Sequence, residues 1–234
     1  MINVNQKSTV LILGASRGIG FGLVKEYLAR GWNVIATERH PSPESNLGLL
    51  VQTFKEQLSV YQLDINKLDD LQLLAQQLSD ISFDILLVNA GISDDPTQTI
   101  GQISTEEFTR LMITNALSPM RCIETLAHLV KVEGSIAVMS SALGSISSNT
   151  DGGFEAYGAS KAALNMLLRS YSARARGARS ILALMPGWVR TDMGGSDAPV
   201  SVQESALGLV NTIDHHVGQV GTFFVDYQNQ PIPW

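Results

Sequence analysis

Cysteine is almost missing from this chain, with Cys122 alone among 234 residues. An internal disulfide is therefore excluded, and a reducing compartment is expected. Cys122 falls in an apolar helical stretch and reads as a packing residue, not a nucleophile. No run approaches the roughly 20 apolar residues a membrane helix needs. The N-terminal Met1-Ile2-Asn3-Val4-Asn5-Gln6-Lys7 lacks a long apolar region and does not read as a signal peptide, so a cytoplasmic location is expected. Repeats, low-complexity tracts and linkers are absent, and 1–234 is expected to form a single domain. There are 4 histidines, without a spaced Cys/His/Asp/Glu set, so no metal site is expected. His40 and His128 are isolated, and the adjacent His215 and His216 read as surface or helix-end residues. The formal net charge is −6, which disfavours nucleic acid as the main partner. Apolar content of 44% against 16% charged residues argues against disorder.

What is present is an alternation. Short β-forming runs near 9–14, 33–37, 58–63, 83–89, 134–140, 180–185 and 221–225 predict strands. Helical spacing covers 18–30, 44–55, 67–80, 104–131, 154–175 and 201–213. This order implies an α/β fold with a doubly wound sheet of about seven parallel strands flanked by helices. The segment 104–131 is long for one helix; either Pro119 kinks it or two helices meet near Asn115. Two Ser/Gly/Asp-rich loops, 142–153 and 187–200, follow predicted strands, where open α/β sheets bind ligands.

The first strand leads into Gly14-Ala15-Ser16-Arg17-Gly18-Ile19-Gly20 and then a helix ending at Gly31. Strand, glycine turn, helix and strand predict a dinucleotide site. Backbone N–H groups at a helix start attract anions, and glycines let a pyrophosphate come close.

Further along, Tyr157 stands four residues before Lys161 in the first turns of the 154–175 helix. Residues at that spacing share a helix face. A fixed cation nearby favours the phenolate, so Lys161 is expected to lower the Tyr157 pKa toward neutrality and make it a general acid–base group.

Taken in order, Gly14 to Gly20, Leu63-Asp64-Ile65, Val88-Asn89-Ala90-Gly91, Asn115, Met139-Ser140-Ser141, Tyr157-x-x-x-Lys161 and Pro186-Gly187-Trp188-Val189-Arg190-Thr191 resemble the short-chain dehydrogenase/reductase family over nearly the whole chain. Finer features resemble its C-factor and sniffer-type carbonyl reductase subgroup: Leu143-Gly144-Ser145-Ile146, the 149–153 loop, Thr191 to Gly195 and the Ile232-Pro233-Trp234 ending. The resemblance implies a Rossmann-type fold. It also implies catalysis by Asn115, Ser141, Tyr157 and Lys161, with Ser140 as a rival to Ser141. Cofactor-binding positions implied are Gly14, Ser16, Arg17, Gly18, Ile19, Gly20, Arg39, Asp64, Ile65, Asn89, Ala90, Gly91, Tyr157, Lys161, Pro186, Gly187, Val189 and Thr191. Asp64 would meet the adenine end, Thr191 the nicotinamide carboxamide and Lys161 the ribose hydroxyls. Asn115 would hold a water between Lys161 and solvent. As plain alternatives, Asp64 suits a turn and Asn115 suits a helix break.

The expected activity is hydride transfer to a carbonyl, with an aldehyde, ketone or quinone as substrate. Arg17 and Arg39 suit the 2′-phosphate of NADP(H); NAD(H) stays open because Glu38 suits a free ribose diol. Ser145, Ile146, Phe154, Trp188 and Met193 are candidate pocket residues. Asp94 and Asp95 read as a solvated turn that could rim the pocket. Arg169, Arg174, Arg176 and Arg179 read as a cationic helix end. The resemblance implies a homodimer or homotetramer through the long helices, and the C-terminal Ile232-Pro233-Trp234 would seal the fold or meet a partner subunit. The alternative function is a dinucleotide-binding signalling or sensor protein of the C-factor type with incidental turnover. A sugar-nucleotide epimerase is disfavoured because no chain remains for a second substrate domain.

Overall fold

The β-forming runs become strands β1 (Thr9–Leu13), β2 (Asn33–Glu38), β3 (Leu58–Gln62), β4 (Phe83–Val88), β5 (Val130–Met139), β6 (Ser180–Met185) and β7 (Gly221–Asp226) in a computed structural model. It describes residues 7–175, 177 and 179–234. Arg176 and the stretch 1–6 lie outside the described residues. All seven strands are parallel, in the order β3-β2-β1-β4-β5-β6-β7. The order reverses between β1 and β4, the switch point where such sheets open a crevice.

The helices are α1 (Gly18–Ala29), α2 (Asn46–Thr53), α3 (Leu68–Gln77), α4 (Thr105–Met112), α5 (Ser118–Leu126), α6 (Glu155–Ala175) and α7 (Val202–His216). Alternate side chains of β1 serve two cores. Leu11 and Leu13 join a cluster with Leu74 of α3, Ile123 of α5 and Leu168 of α6. Val10 and Ile12 join another with Leu23 of α1 and Leu209 of α7. Cys122 is fully buried in the first cluster, and burial pushes its thiol pKa up to about 12. Gly31 ends α1 at φ +79°, as its left-handed role requires.

The 104–131 segment follows the second of its two expected forms, two helices meeting near Asn115, and departs from expectation only at its end. It is not one helix: α4 passes into a π-helical turn over Ile113–Leu117, centred on Asn115, and then into α5. Pro119 sits in the first turn of α5, where a missing N–H costs little. Helix ends by Leu129, and Val130 to Glu133 belong to β5. Val130 pairs with Phe83, but Ile85 pairs with Ser135, so the chain bulges between them.

Ile232 and Trp234 pack on the first core cluster, with the Trp234 ring 5.3 Å from Phe224. The C-terminal residues thus seal the fold here. Of the arginines, Arg174 pairs with Glu124, Arg169 lies over Trp234, and Arg179 donates to the carbonyls of Val130 and Lys131. His215 and His216 do end α7, but His216 is buried and not on the surface. Its ring packs 4.4 Å from Phe223 and bonds Asn229.

Candidate active site

The glycine turn is pinned from three sides. The Gly14 N–H donates to Thr37 Oγ1 at 3.1 Å, the Ala15 N–H to the Thr37 carbonyl at 2.9 Å, and Asn89 Nδ2 to the Gly14 carbonyl at 2.7 Å. A Cβ on Gly14 would lie 2.7 Å from Ala90 Cβ, and one on Gly20 would lie 2.2 Å from the Gly14 carbonyl oxygen. Arg17 precedes α1 without capping it, and the first turn carries no acidic residue. Amide donors at this helix start are thus left for an anion.

Above the turn lies a cleft of about 700 Å³ at the carboxyl ends of the strands. Its walls bring together Gly14, Ser16, Arg17, Gly18, Ile19, Arg39, Asp64, Ile65, Asn89, Ala90 and Gly91 from the first half of the chain. Tyr157, Lys161, Pro186 and Thr191 join them from the second half, with Ser140 and Glu38. Gly20, Asn115, Ser141, Gly187 and Val189 stand behind or beside these walls. Gly187 turns at φ +87° against the Tyr227 ring, and Val189 bridges to Val200. A second hollow of about 610 Å³ at the opposite end of the sheet, near Trp32 and Lys131, holds none of the expected site residues.

Tyr157 and Lys161 share one face, with Nζ 5.6 Å from the phenol ring centroid. Their electrostatics differ from expectation. Burial is the largest influence on Tyr157 and raises its pKa; a hydrogen bond with Ser141 pulls it down, and the charge of Asp94 pushes it up again. The expected lowering of Tyr157 is therefore a correction. Lys161 is itself buried, its Nζ donates to the Met139 carbonyl at 2.8 Å, and its pKa falls from 10.5 to about 8. An ammonium that burial discourages is a weak source of stabilisation for a neighbouring phenolate.

This depressed pKa has a testable sign. Between pH 8 and 10.5 the unfolded chain holds a proton on Lys161 that the folded chain tends to lose. Stability therefore rises with pH across that window, and the penalty is fully present below it. Urea unfolding at pH 8 and 10 should show the wild type gaining on Lys161→Met, by on the order of 1–3 kcal/mol. A pH-independent difference would refute the shift.

The two serines separate. Ser140 is buried and its hydroxyl donates to Asn165 Oδ1 at 2.7 Å. Ser141 is half-buried; its Oγ accepts from the Leu143 N–H at 3.2 Å, and its proton remains available toward Tyr157. Ser140 thus lines the cleft with its hydroxyl spent, whereas Ser141 stands beside it and is hydrogen-bonded to the Tyr157 phenol. Asn115 is fully buried, lies in the π-turn between α4 and α5 and is not in the cleft wall, and its side chain bonds other segments. Its Oδ1 accepts from the Ile92 N–H at 2.9 Å, and its Nδ2 donates to the Ile92 carbonyl at 2.8 Å and to Ser160 Oγ at 3.0 Å. For a water toward Lys161, the side chain has only the second lone pair of Oδ1. That atom and Lys161 Nζ would each lie 3.3 Å from a Cβ on Gly91.

At the far end of the cleft, Arg39 is exposed and lines the wall, and Arg17 reaches across to Asp192 at 2.5 Å. Glu38 is buried and accepts from Ser45 Oγ at 2.7 Å, and Ser45 caps α2. One carboxylate oxygen is thus drawn to a helix start. Asp64 serves both readings: it lines the cleft, and its Oδ1 accepts from the Asn66 N–H in a turn.

Of the expected substrate-pocket residues, Met193 lines the cleft and the Phe154 ring stands edge-on 6.2 Å from Tyr157. Ser145 is buried and spends its hydroxyl on Ser148, and Ile146 is exposed, so neither faces the cleft. Trp188 is exposed, with Nε1 on the Gly194 carbonyl. Asp95 forms the expected turn, with both the N–H and the hydroxyl of Thr97 on its Oδ1. Asp94 does not; both its oxygens are shielded from solvent. Sequence reading missed Thr37 and Ser45, whose partners lie in other segments. It quoted Asp192 without giving it a role. Among the described residues no helix is long and apolar enough to cross a membrane.

A family model described as short chain dehydrogenase matches residues 8–200. A Burkholderia multivorans short-chain dehydrogenase/reductase structure with bound NADP is 45% identical, covering 98% of this chain and 100% of that chain at a TM-score of 0.95. A carbonyl reductase from Pseudomonas aeruginosa PAO1 in complex with NADP is 42% identical over 98% and 100% of the two chains, with a TM-score of 0.90. The carbonyl reductase Sniffer of D. melanogaster is 30% identical over 98% and 100%, at 0.86. C-signal from Myxococcus xanthus is 37% identical over 64% of this chain and 92% of its own length. The subgroup read from the loops is thus matched on both its C-factor and its sniffer side.

Proposed function

The chain belongs to the short-chain dehydrogenase family, and from that premise we propose that it is an NADP(H)-dependent carbonyl reductase. The observation that carries this reading is the placement of Tyr157 and Lys161 in the wall of the cleft that the glycine turn opens. The turn suits a dinucleotide: close backbone approach at Gly14 and Gly20 excludes any side chain, and the uncapped α1 start offers amides to phosphate. When bound, NADPH supplies the hydride.

The chain's own residues do the rest. Tyr157, kept protonated by burial, gives its phenolic proton to the oxygen of the reduced carbonyl. Ser141 donates a hydrogen bond to that oxygen as negative charge grows. Lys161 lies beside the ring to hold ribose hydroxyls and return a proton to Tyr157. Asn115 fixes the positions of Ile92 and Ser160, next to Lys161. The reading is tested by NADPH consumption against a panel of aldehydes, ketones and quinones; absence of turnover throughout the panel sinks it. The similarity to C-signal favours a second reading, a cofactor-binding signalling protein. The intact Ser141, Tyr157 and Lys161 set weighs toward catalysis.

NADP(H) over NAD(H) follows from Arg39, which faces the cleft, and from Glu38, which is partly engaged by Ser45. Charge-assisted bonds to a phosphate are worth about 1.5–3 kcal/mol. Arg39→Ala should weaken NADPH binding by roughly tenfold or more and leave NADH unchanged. Fluorescence titration of both nucleotides checks this; equal losses would remove Arg39 as the 2′-phosphate contact.

A further inference from the structure

Ser141 and Tyr157 must keep their places relative to each other, yet they lie on separate elements. Ser141 leads a short turn over Ala142–Gly144 after β5, and Tyr157 belongs to α6. The turn is pressed directly onto that helix. A Cβ on Gly144 would lie 2.9 Å from Lys161 Cβ and 3.1 Å from Asn165 Nδ2. One on Gly158 would lie 3.0 Å from the Leu143 carbonyl oxygen. Two glycines thus permit an approach that side chains would hinder.

Contact of this kind sets a separation but does not stop the turn from sliding along the helix. Hydrogen bonds do, because they are directional. Asn165 of α6 supplies two: its Oδ1 accepts from Ser140 Oγ at 2.7 Å, and its Nδ2 donates to the Gly144 carbonyl at 3.2 Å. These contacts straddle Ser141. Among the described residues, and Tyr157 itself apart, no other side chain from outside 140–144 bonds to that segment. Asn165 is buried, and its neighbours Leu164 and Leu168 belong to the first core cluster. A buried amide is costly unless its polar groups are met; here both are spent on the turn. Spaced by four, Tyr157, Lys161 and Asn165 run along one face of α6. The helix therefore carries the phenol and the clamp as one rigid piece.

We propose that Asn165 is a positioning residue for the reduction, holding the 140–144 turn on α6 so that the Ser141 hydroxyl and the Tyr157 phenol converge on the carbonyl oxygen. The chemistry rests on the carbonyl-reductase reading. Without the amide, Ser140 and Gly144 lose their partner and the turn shifts, and small misplacements of a reacting group cost rate. Asn165 does not line the cleft, so nucleotide binding is not its task.

The test is a cycle of Ser141→Ala, Asn165→Leu and the double variant in the full chain. Leucine has a similar shape and makes neither bond. With the fastest-reduced carbonyl of the panel, kcat/KM should fall at least tenfold in Asn165→Leu, while NADPH affinity stays within about twofold. In the Ser141→Ala background the same substitution should cost less than twofold, because the group it positions is gone. Asn165→Ala leaves room for a water between Ser140 and Gly144 and should show the same pattern with a smaller loss. Equal losses in both backgrounds, no loss at all, or failure of both Asn165 variants to fold would each make the amide merely structural and overturn the proposal. A second readout needs no turnover. In chains isotope-labelled at tyrosine Cζ, with the Tyr157 resonance assigned through Tyr157→Phe, Asn165→Leu should move that resonance in the same direction as Ser141→Ala. A resonance that only Ser141→Ala moves would also overturn the proposal. Matched shifts in a chain that reduces no carbonyl keep Asn165 as the group that places Ser141 and reject the reductase reading instead.

Discussion

Tyr157→Phe is expected to lower kcat/KM for carbonyl reduction by roughly 10²- to 10⁴-fold, the range for losing a positioned proton donor. The substitution removes one oxygen and keeps the ring. The contacts of that ring with Phe154 and with Lys161 Nζ, 6.2 Å and 5.6 Å between the measured centres, persist. Nucleotide affinity should therefore stay within about twofold of the wild type, and melting should move little. Because burial holds the phenol protonated, the wild-type reductive rate should also persist well above neutral pH. Steady-state kinetics paired with fluorescence titration separate the possibilities. Wild-type turnover in the variant would reject Tyr157 as the acid; a parallel loss of nucleotide binding would make its role structural.

Gly20→Ala is expected to be nearly as damaging, by another route. The new methyl would fall 2.2 Å from the Gly14 carbonyl oxygen and 2.6 Å from Asn89 Nδ2. Both are fixed: the carbonyl accepts the bond from Asn89, and the Gly14 N–H is held by Thr37. The start of α1 must move away from the end of β1, at an overpacking cost of about 1–3 kcal/mol. NADPH affinity should drop roughly tenfold to a hundredfold, and the melting temperature should fall several degrees. Gly31→Ala is a useful contrast, since nothing lies within 4 Å of its Cβ position but φ is +79°. Nucleotide binding that survives Gly20→Ala unchanged would show that the cradle does not need this close approach.

Much of this was legible in order of residues, and the exceptions share a cause. Strands such as Thr9–Leu13 and the stop at Gly31 follow from local preference, and their partners only reinforce them. The meeting of two helices near Asn115 was legible as one of two alternatives, but the side-chain bonds of Asn115 to Ile92 and Ser160, in other segments, were not. The bulge at Val130 to Gly134 likewise depends on β4. The spacing of Tyr157 and Lys161 put both on one face, as expected, but spacing carries no information about burial. Burial reversed the direction of the Tyr157 shift. The position of Glu38 suits a ribose diol, but its bond from Ser45 is not written in the order of residues, and the pair Asp94-Asp95 looks alike in sequence although only Asp95 meets a turn donor.

The solitary thiol, on α5, gives the molecule a clock. Sealed in the interior with its proton held tightly, Cys122 stays silent toward alkylating reagents while the first core cluster remains closed. Every labelled chain therefore records one opening of that half of the molecule, so the pace of alkylation reports how often the layer beneath α5 breathes.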